Sequence, residues 1–112
     1  MEKRYDLEER TLNFAVNVSK FVSLLQKTIA NVEYIKQLIR ASSSVGANYI
    51  EANEALSKKD FIFRAKICRK EAKESSYWLR LLQIDQENEP VRTDLIRESI
   101  ELTKIFGSIV SK

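Results

Sequence analysis

From Phe61, the residues Ala65, Cys68, Ala72, Ser75, Leu79 and Leu82 follow one another at steps alternating between four and three. That spacing places all of them on one stripe of an α-helix and would scatter them over both faces of a strand. The stripe has the heptad period of a coiled-coil seam with small side chains in its middle, so a partner helix must lie close against it. The rest of the chain offers few places to turn, because 112 residues hold only two glycines and one proline. Long helices with short connections need the fewest turns.

Three further stripes at helical spacing supply the partners. Leu7, Phe14, Val18, Phe21, Val22 and Leu25 mark a first helix; Ile35, Leu38, Ile39, Ser42, Val45, Gly46, Tyr49, Ile50 and Asn53 a second; and Leu95, Ile96, Ile100, Leu102, Thr103, Phe106, Ile109 and Val110 a fourth. Asn31 is the expected N-cap of the second helix, and Ser57 followed by Asp60 is a capping-box variant opening the third. Asn88, Glu89 and Pro90 are expected to stop the third helix, since proline lacks the amide and restricts its predecessor. Pro90 or Thr93 can open the fourth. The expected fold is all-α, an antiparallel up-and-down four-helix bundle forming one domain, with helices over about 5–26, 32–56, 58–87 and 92–111.

Ser42, Ser43, Ser44 and Gly46 are poor helix formers set between two strongly helical segments. They read as small side chains that let a neighbouring backbone approach; the alternative is a break near Ser43.

Histidine is absent, which removes the commonest general base and the commonest transition-metal ligand together. Glu51, Glu54, Glu71 and Glu74 therefore lack the Glu-x-x-His partners of a carboxylate-bridged metal bundle. No Gly-rich phosphate loop occurs, and no base adjoins a serine or Cys68. Neither an enzyme nor a metal or other cofactor is expected. Cys68, inside the seam, reads as a buried thiol behaving as a small hydrophobe. A single cysteine, a charged stretch from Met1 to Arg10 in place of a signal peptide, and no apolar run of about 20 residues favour a cytoplasmic protein with no membrane segment. Asn48, Glu51 and Glu74 are expected to form a buried polar cluster that pairs with Lys or Arg and fixes helix register.

The net charge of +3 is modest, but it is concentrated: Lys58 to Arg80 carries eight basic residues against three acidic. Projected at about 100° per residue from Phe61, Lys58, Lys59, Lys66, Arg69, Lys70, Lys73 and Arg80 fall between about 60° and 180°, leaving only Arg64 outside. This single-sign stripe, about 30 Å long, can follow a phosphate backbone. Phe63, Ile67, Trp78 and Leu81 project between about 200° and 260°, a second apolar strip that marks a self-association surface.

The run Ser44-Val45-Gly46-Ala47-Asn48-Tyr49-Ile50-Glu51-Ala52, followed by Lys59-Asp60-Phe61-Ile62, Ile67, Glu71-Ala72-Lys73-Glu74 and Tyr77-Trp78-Leu79, resembles the four-helix bundle proteins encoded in intervening sequences of bacterial 23S ribosomal RNA genes. The resemblance extends over essentially the whole chain by helix layout. Family members of this kind include accessory proteins of diversity-generating retroelements, which assemble as pentameric barrels and bind nucleic acid and a reverse transcriptase. The resemblance thus implies a homopentamer with basic surfaces, and RNA, DNA or a protein such as a reverse transcriptase as partner. Two readings follow: a non-enzymatic nucleic-acid-binding protein using the stripe on helix three, or a scaffold whose basic face docks an acidic protein.

Overall fold

The computed structural model describes residues 2–112, with side chains from Asp6 onward. Its elements are α1 (Glu2–Val22), α2 (Ile29–Asn53), α3 (Lys58–Leu81), a short 3-10 turn (Gln86–Asn88) and α4 (Glu89–Val110). Each helix packs on its neighbours in sequence, and α1 closes the ring against α4, giving an up-and-down four-helix bundle of 45 × 24 × 20 Å. The α2–α3 and α3–α4 contacts are the most extensive and α1–α4 the slightest, so α3 is the helix most fully embraced.

The alternating seam of α3 is the reason. Ala65, Cys68, Ala72, Ser75 and Leu79 are fully buried and Leu82 almost so, while Phe61 at the open end is only half-buried. Small residues in the middle of the seam leave room for Phe14, Phe21, Leu38, Val45, Leu102 and Phe106 from the other helices, all buried. Tyr49 of α2 meets Phe106 of α4 edge to face at 5.6 Å across the core. Each such large apolar side chain contributes about 1.5–3 kcal/mol by leaving water.

Helix α2 runs unbroken through Ser42 to Gly46. At Gly46 an added Cβ would lie 2.9 Å from Thr11 Oγ1 and 3.3 Å from Thr11 Cβ, so glycine is what admits α1 at this height. The small-residue reading holds, and the helix has no break near Ser43.

The helices depart from the expected bounds: α2 spans 29–53 rather than 32–56, α3 ends at 81 rather than 87 and α4 begins at 89 rather than 92, and at the start of α2 and the end of α3 a tertiary contact overrides a local signal. The N-cap of α2 is Thr28, whose hydroxyl accepts from the Asn31 amide at 3.1 Å. Asn31, expected as the cap, is instead fully buried: its Nδ2 donates to the carbonyls of Gln26 and Gln83, and its Oδ1 accepts from the Gln83 amide. One side chain thereby ties the α1–α2 connection to the α3–α4 connection. That tie also ends α3 at Leu81, well before Pro90, because Leu82 turns extended (ψ 138°) to reach the core and deliver Gln83 to Asn31. Arg92 caps the freed end, its Nη1 donating to the carbonyls of Leu79, Arg80 and Leu82. Pro90 falls in the first turn of α4, where a missing amide costs nothing. At α3's start Ser57 caps as expected, accepting from the Asp60 amide at 3.1 Å. Helix α1 stops at Val22 rather than near residue 26, and Lys27 Nζ donates to the carbonyls of Val22 and Leu25.

Among the described residues, no helix is long and apolar enough to cross a membrane.

Candidate nucleic-acid interface

The packing of α2 and α4 on opposite flanks of α3 decides what happens to its charges. On the α2 flank, Arg64 Nη1 donates to Asn48 Oδ1 at 2.9 Å, and Arg40 from α2 lies 3.8 Å from Glu71 and 3.6 Å from Glu74. On the α4 flank, Arg69 lays its aliphatic stem over Gly107, where an added Cβ would sit 3.7 Å from Arg69 Cδ. Arg69, Lys70, Lys73 and Arg80 together with Lys104 line an open groove of about 780 Å3 between α3 and α4. Ser76, Tyr77, Ile100 and Thr103 complete the lining.

All seven residues expected in the basic stripe are exposed. The groove gathers Arg69, Lys70, Lys73 and Arg80; Lys58, Lys59 and Lys66 lie on α3 outside it. Arg69 to Arg80 spans about 17 Å of helix. Lys104, from α4, joins them and was not visible in a projection of α3 alone.

The pairing of the arginines separates this groove from the rest of the surface. Arg10 holds Glu98 through two bonds of 2.7 and 2.8 Å, Arg92 holds Glu89, Arg97 holds Asp94, and Arg40 and Arg64 are engaged as above. The bond from Glu98 also raises the Arg10 pKa above its ordinary value. Arg69 and Arg80, both in the groove, make no side-chain hydrogen bond or ion pair among the described residues, and neither do Lys73 and Lys104; Lys70 alone approaches a carboxylate, Glu71, at 3.7 Å. A planar, weakly hydrated guanidinium left without a carboxylate is suited to phosphate oxygens.

The second apolar strip is not the open surface the projection implied. Phe63 is 59% exposed, but Ile67, Trp78 and Leu81 are half-buried, because this arc of α3 faces α2. Trp78 rests beside Tyr34 of α2, with ring centroids 6.3 Å apart, and beside Tyr77 at 5.1 Å. Besides Phe63, open apolar side chains lie on the other helices: Leu12 and Val16 on α1, Ile39 and Ile50 on α2, Val91 and Ile100 on α4.

The expected polar cluster of Asn48, Glu51 and Glu74 does not form. Asn48 bonds Ser44 and Arg64, Glu74 pairs with Arg40, and Glu51 is exposed. Glu51 stands about 120° round α2 from buried Val45, too far to reach the packed arc. The buried acid is Glu71, 5% exposed, whose Oε1 has no hydrogen-bond partner and only the 3.8 Å approach of Arg40. Its position between α2 and α3 becomes evident only once α2 is known to cover that side of α3.

Cys68 is fully buried and its thiol donates to the Val45 carbonyl at 3.3 Å. Burial pushes the thiol up to about 12, so it stays protonated and unreactive at neutral pH. Among the described residues no three Cys, Asp or Glu side chains group to hold a metal ion.

Comparison with known proteins places this bundle. No curated protein matches the sequence. The crystal structure of a protein with unknown function from the S23 ribosomal protein family, from Bacteroides thetaiotaomicron VPI-5482, is similar with a TM-score of 0.84 at 32% identity, covering 98% of this chain and 99% of that one. The pattern of the 23S rRNA-intervening sequence proteins matches residues 3–107, from the first turn of α1 to the last turns of α4. By the extent of that match, this chain belongs to the 23S rRNA-intervening sequence protein family.

Proposed function

We propose that this protein is a non-enzymatic, cytoplasmic nucleic-acid-binding protein that holds the phosphate backbone of RNA in the groove between α3 and α4. One observation carries the reading: the arginines of the groove, Arg69 and Arg80, lack a partner among the described residues, whereas Arg10, Arg40, Arg64, Arg92 and Arg97 each have one. Phosphate contacts of this kind supply affinity without base identity and release counterions as they form. The working unit is proposed to be a homo-oligomer, a pentamer by the resemblance. Leu12, Val16, Ile39 and Ile50 support self-association, since they leave apolar surface open on α1 and α2.

Titration of a labelled structured RNA at several salt concentrations tests the reading. Binding should weaken with salt, with a slope in log–log form of about −0.7 to −0.9 for each phosphate engaged. Absence of binding, or binding indifferent to salt, contradicts it. So does a partner captured from lysate that is an acidic protein and survives nuclease treatment with no RNA retained. Light scattering at the monomer mass of 13.0 kDa at micromolar concentration contradicts the oligomer alone.

A further inference from the structure

Resting on the proposed RNA-binding role of the groove, we infer that its ligand is a single strand or an unpaired loop, and that Tyr77 is the platform on which one base stacks. Tyr77 is 55% exposed and sits inside the groove, among Lys70, Lys73 and Arg80. These cations stand seven and four residues before it and three after it, all on the same face of α3 as the ring. A strand running along the groove therefore meets positive charge on both sides of the ring.

The ring is already held. It packs against Trp78 at 5.1 Å with the planes 74° apart, and Trp78 is itself half-buried beside Tyr34. An aromatic braced in this way loses little side-chain freedom on binding, so more of the stacking attraction reaches the affinity. Across the groove, Ile100 of α4 is 44% exposed and offers an apolar wall, and the Thr103 and Ser76 hydroxyls lie within the same lining. An exposed aromatic ring between cations, facing an apolar side chain, matches the needs of an unstacked base and its flanking phosphates. A duplex cannot use the ring, because its base faces are already stacked on one another and only phosphates and groove edges remain to be touched.

Fluorescence anisotropy with a fluorescein-labelled 12-nucleotide RNA, the duplex of the same sequence, and the same strand carrying abasic positions tests the inference on the full chain. The wild-type protein should bind the single strand more tightly than either the duplex or the abasic strand. Tyr77→Ala should weaken single-strand binding by roughly 5- to 150-fold, leave duplex and abasic binding unchanged, and leave the melting curve within a few degrees. Tyr77→Phe should restore single-strand binding. The wild-type preference for intact over abasic RNA reads the same contact without any substitution, so poor folding of Tyr77→Ala does not shield the inference.

If Lys73→Glu weakens binding while Tyr77→Ala and the abasic strand behave as their controls, the groove holds phosphate only. The stacking role then falls while RNA binding in the groove stands. If no RNA binds, or Lys73→Glu leaves binding intact, both fall together.

Discussion

The two flanks of α3 treat the same residue types in opposite ways. On the α2 flank, charge is consumed within the chain: Arg64 bonds Asn48, Arg40 reaches Glu71 and Glu74, and Trp78 shelters beside Tyr34. On the α4 flank, Arg69, Lys73, Arg80 and Lys104 face an open groove with no carboxylate among the described residues to meet them. The α2 flank is built to hold two helices in register, and the α4 flank is left for something outside the chain. A charge count along α3 does not separate these roles, because both flanks contain arginine and lysine.

Substitutions should therefore divide into those that change binding and those that change stability. The largest effect is expected from reversing Arg69 and Lys73 to Glu together, which should lower RNA affinity on the order of 100-fold if each lost charge-assisted contact is worth about 1.5 kcal/mol. Thermal melting of this double variant should match the wild type, since neither side chain has a hydrogen-bond or ion-pair partner among the described residues. A large loss of stability in the same variant would break the comparison.

Next in size is Arg40→Ala on the opposite flank. It leaves buried Glu71 with Lys70 as its only nearby cation among the described residues, and denaturant unfolding should show a loss of about 1–3 kcal/mol, the usual cost of stranding a buried polar group. RNA affinity should not move.

Cys68, bonded to the α2 backbone at Val45, sharpens the comparison through pH. Its folded-state pKa is raised from the ordinary thiol value of 9.0 to about 12, so above pH 9 the unfolded chain releases a proton that the folded chain retains. Its contribution is fully present below pH 9 and is lost as pH rises toward 12, at up to about 1.4 kcal/mol per pH unit. Denaturation midpoints of wild type and Cys68→Ala should therefore converge between neutral pH and about pH 10.5. A constant difference between them would show that the thiol does not resist ionisation.

The smallest effect belongs to Lys58→Gln with Lys59→Gln, exposed charges on α3 outside the groove. Stability should change by less than about 0.5 kcal/mol, and RNA binding should weaken far less than in the Arg69 and Lys73 variant. An equal loss would extend the interface to the start of α3.

Much of the bundle was legible because it depends on local periodicity. The alternating seam identified α3 and its buried face, the small residues of α2 announced the close approach that Thr11 and Gly46 make, and Ser57 capped the helix it preceded. What was not legible depends on which helix lies beside which. A projection of α3 gives the arc of each side chain but not the side on which α2 sits, so Trp78 reads as exposed and Glu71 reads as one of several carboxylates rather than as the buried one. Asn31 and Thr28 are both good capping residues, and only the arrival of Gln83 from a distant connection decides between them. The same contact ended α3 early, against the proline signal. In the candidate interface, the cations of α3 were readable in sequence, while Lys104 and the groove itself needed α4 in place.

The most direct test of the central claim is to map bound RNA on the folded protein by amide chemical-shift perturbation. On titration with the 12-nucleotide RNA, signals from residues 69–80 of α3 and 100–104 of α4 should shift, while those of Ile35 to Tyr49 on α2 stay in place. Shifts confined to α1 and α2, or none at saturating RNA, would contradict it.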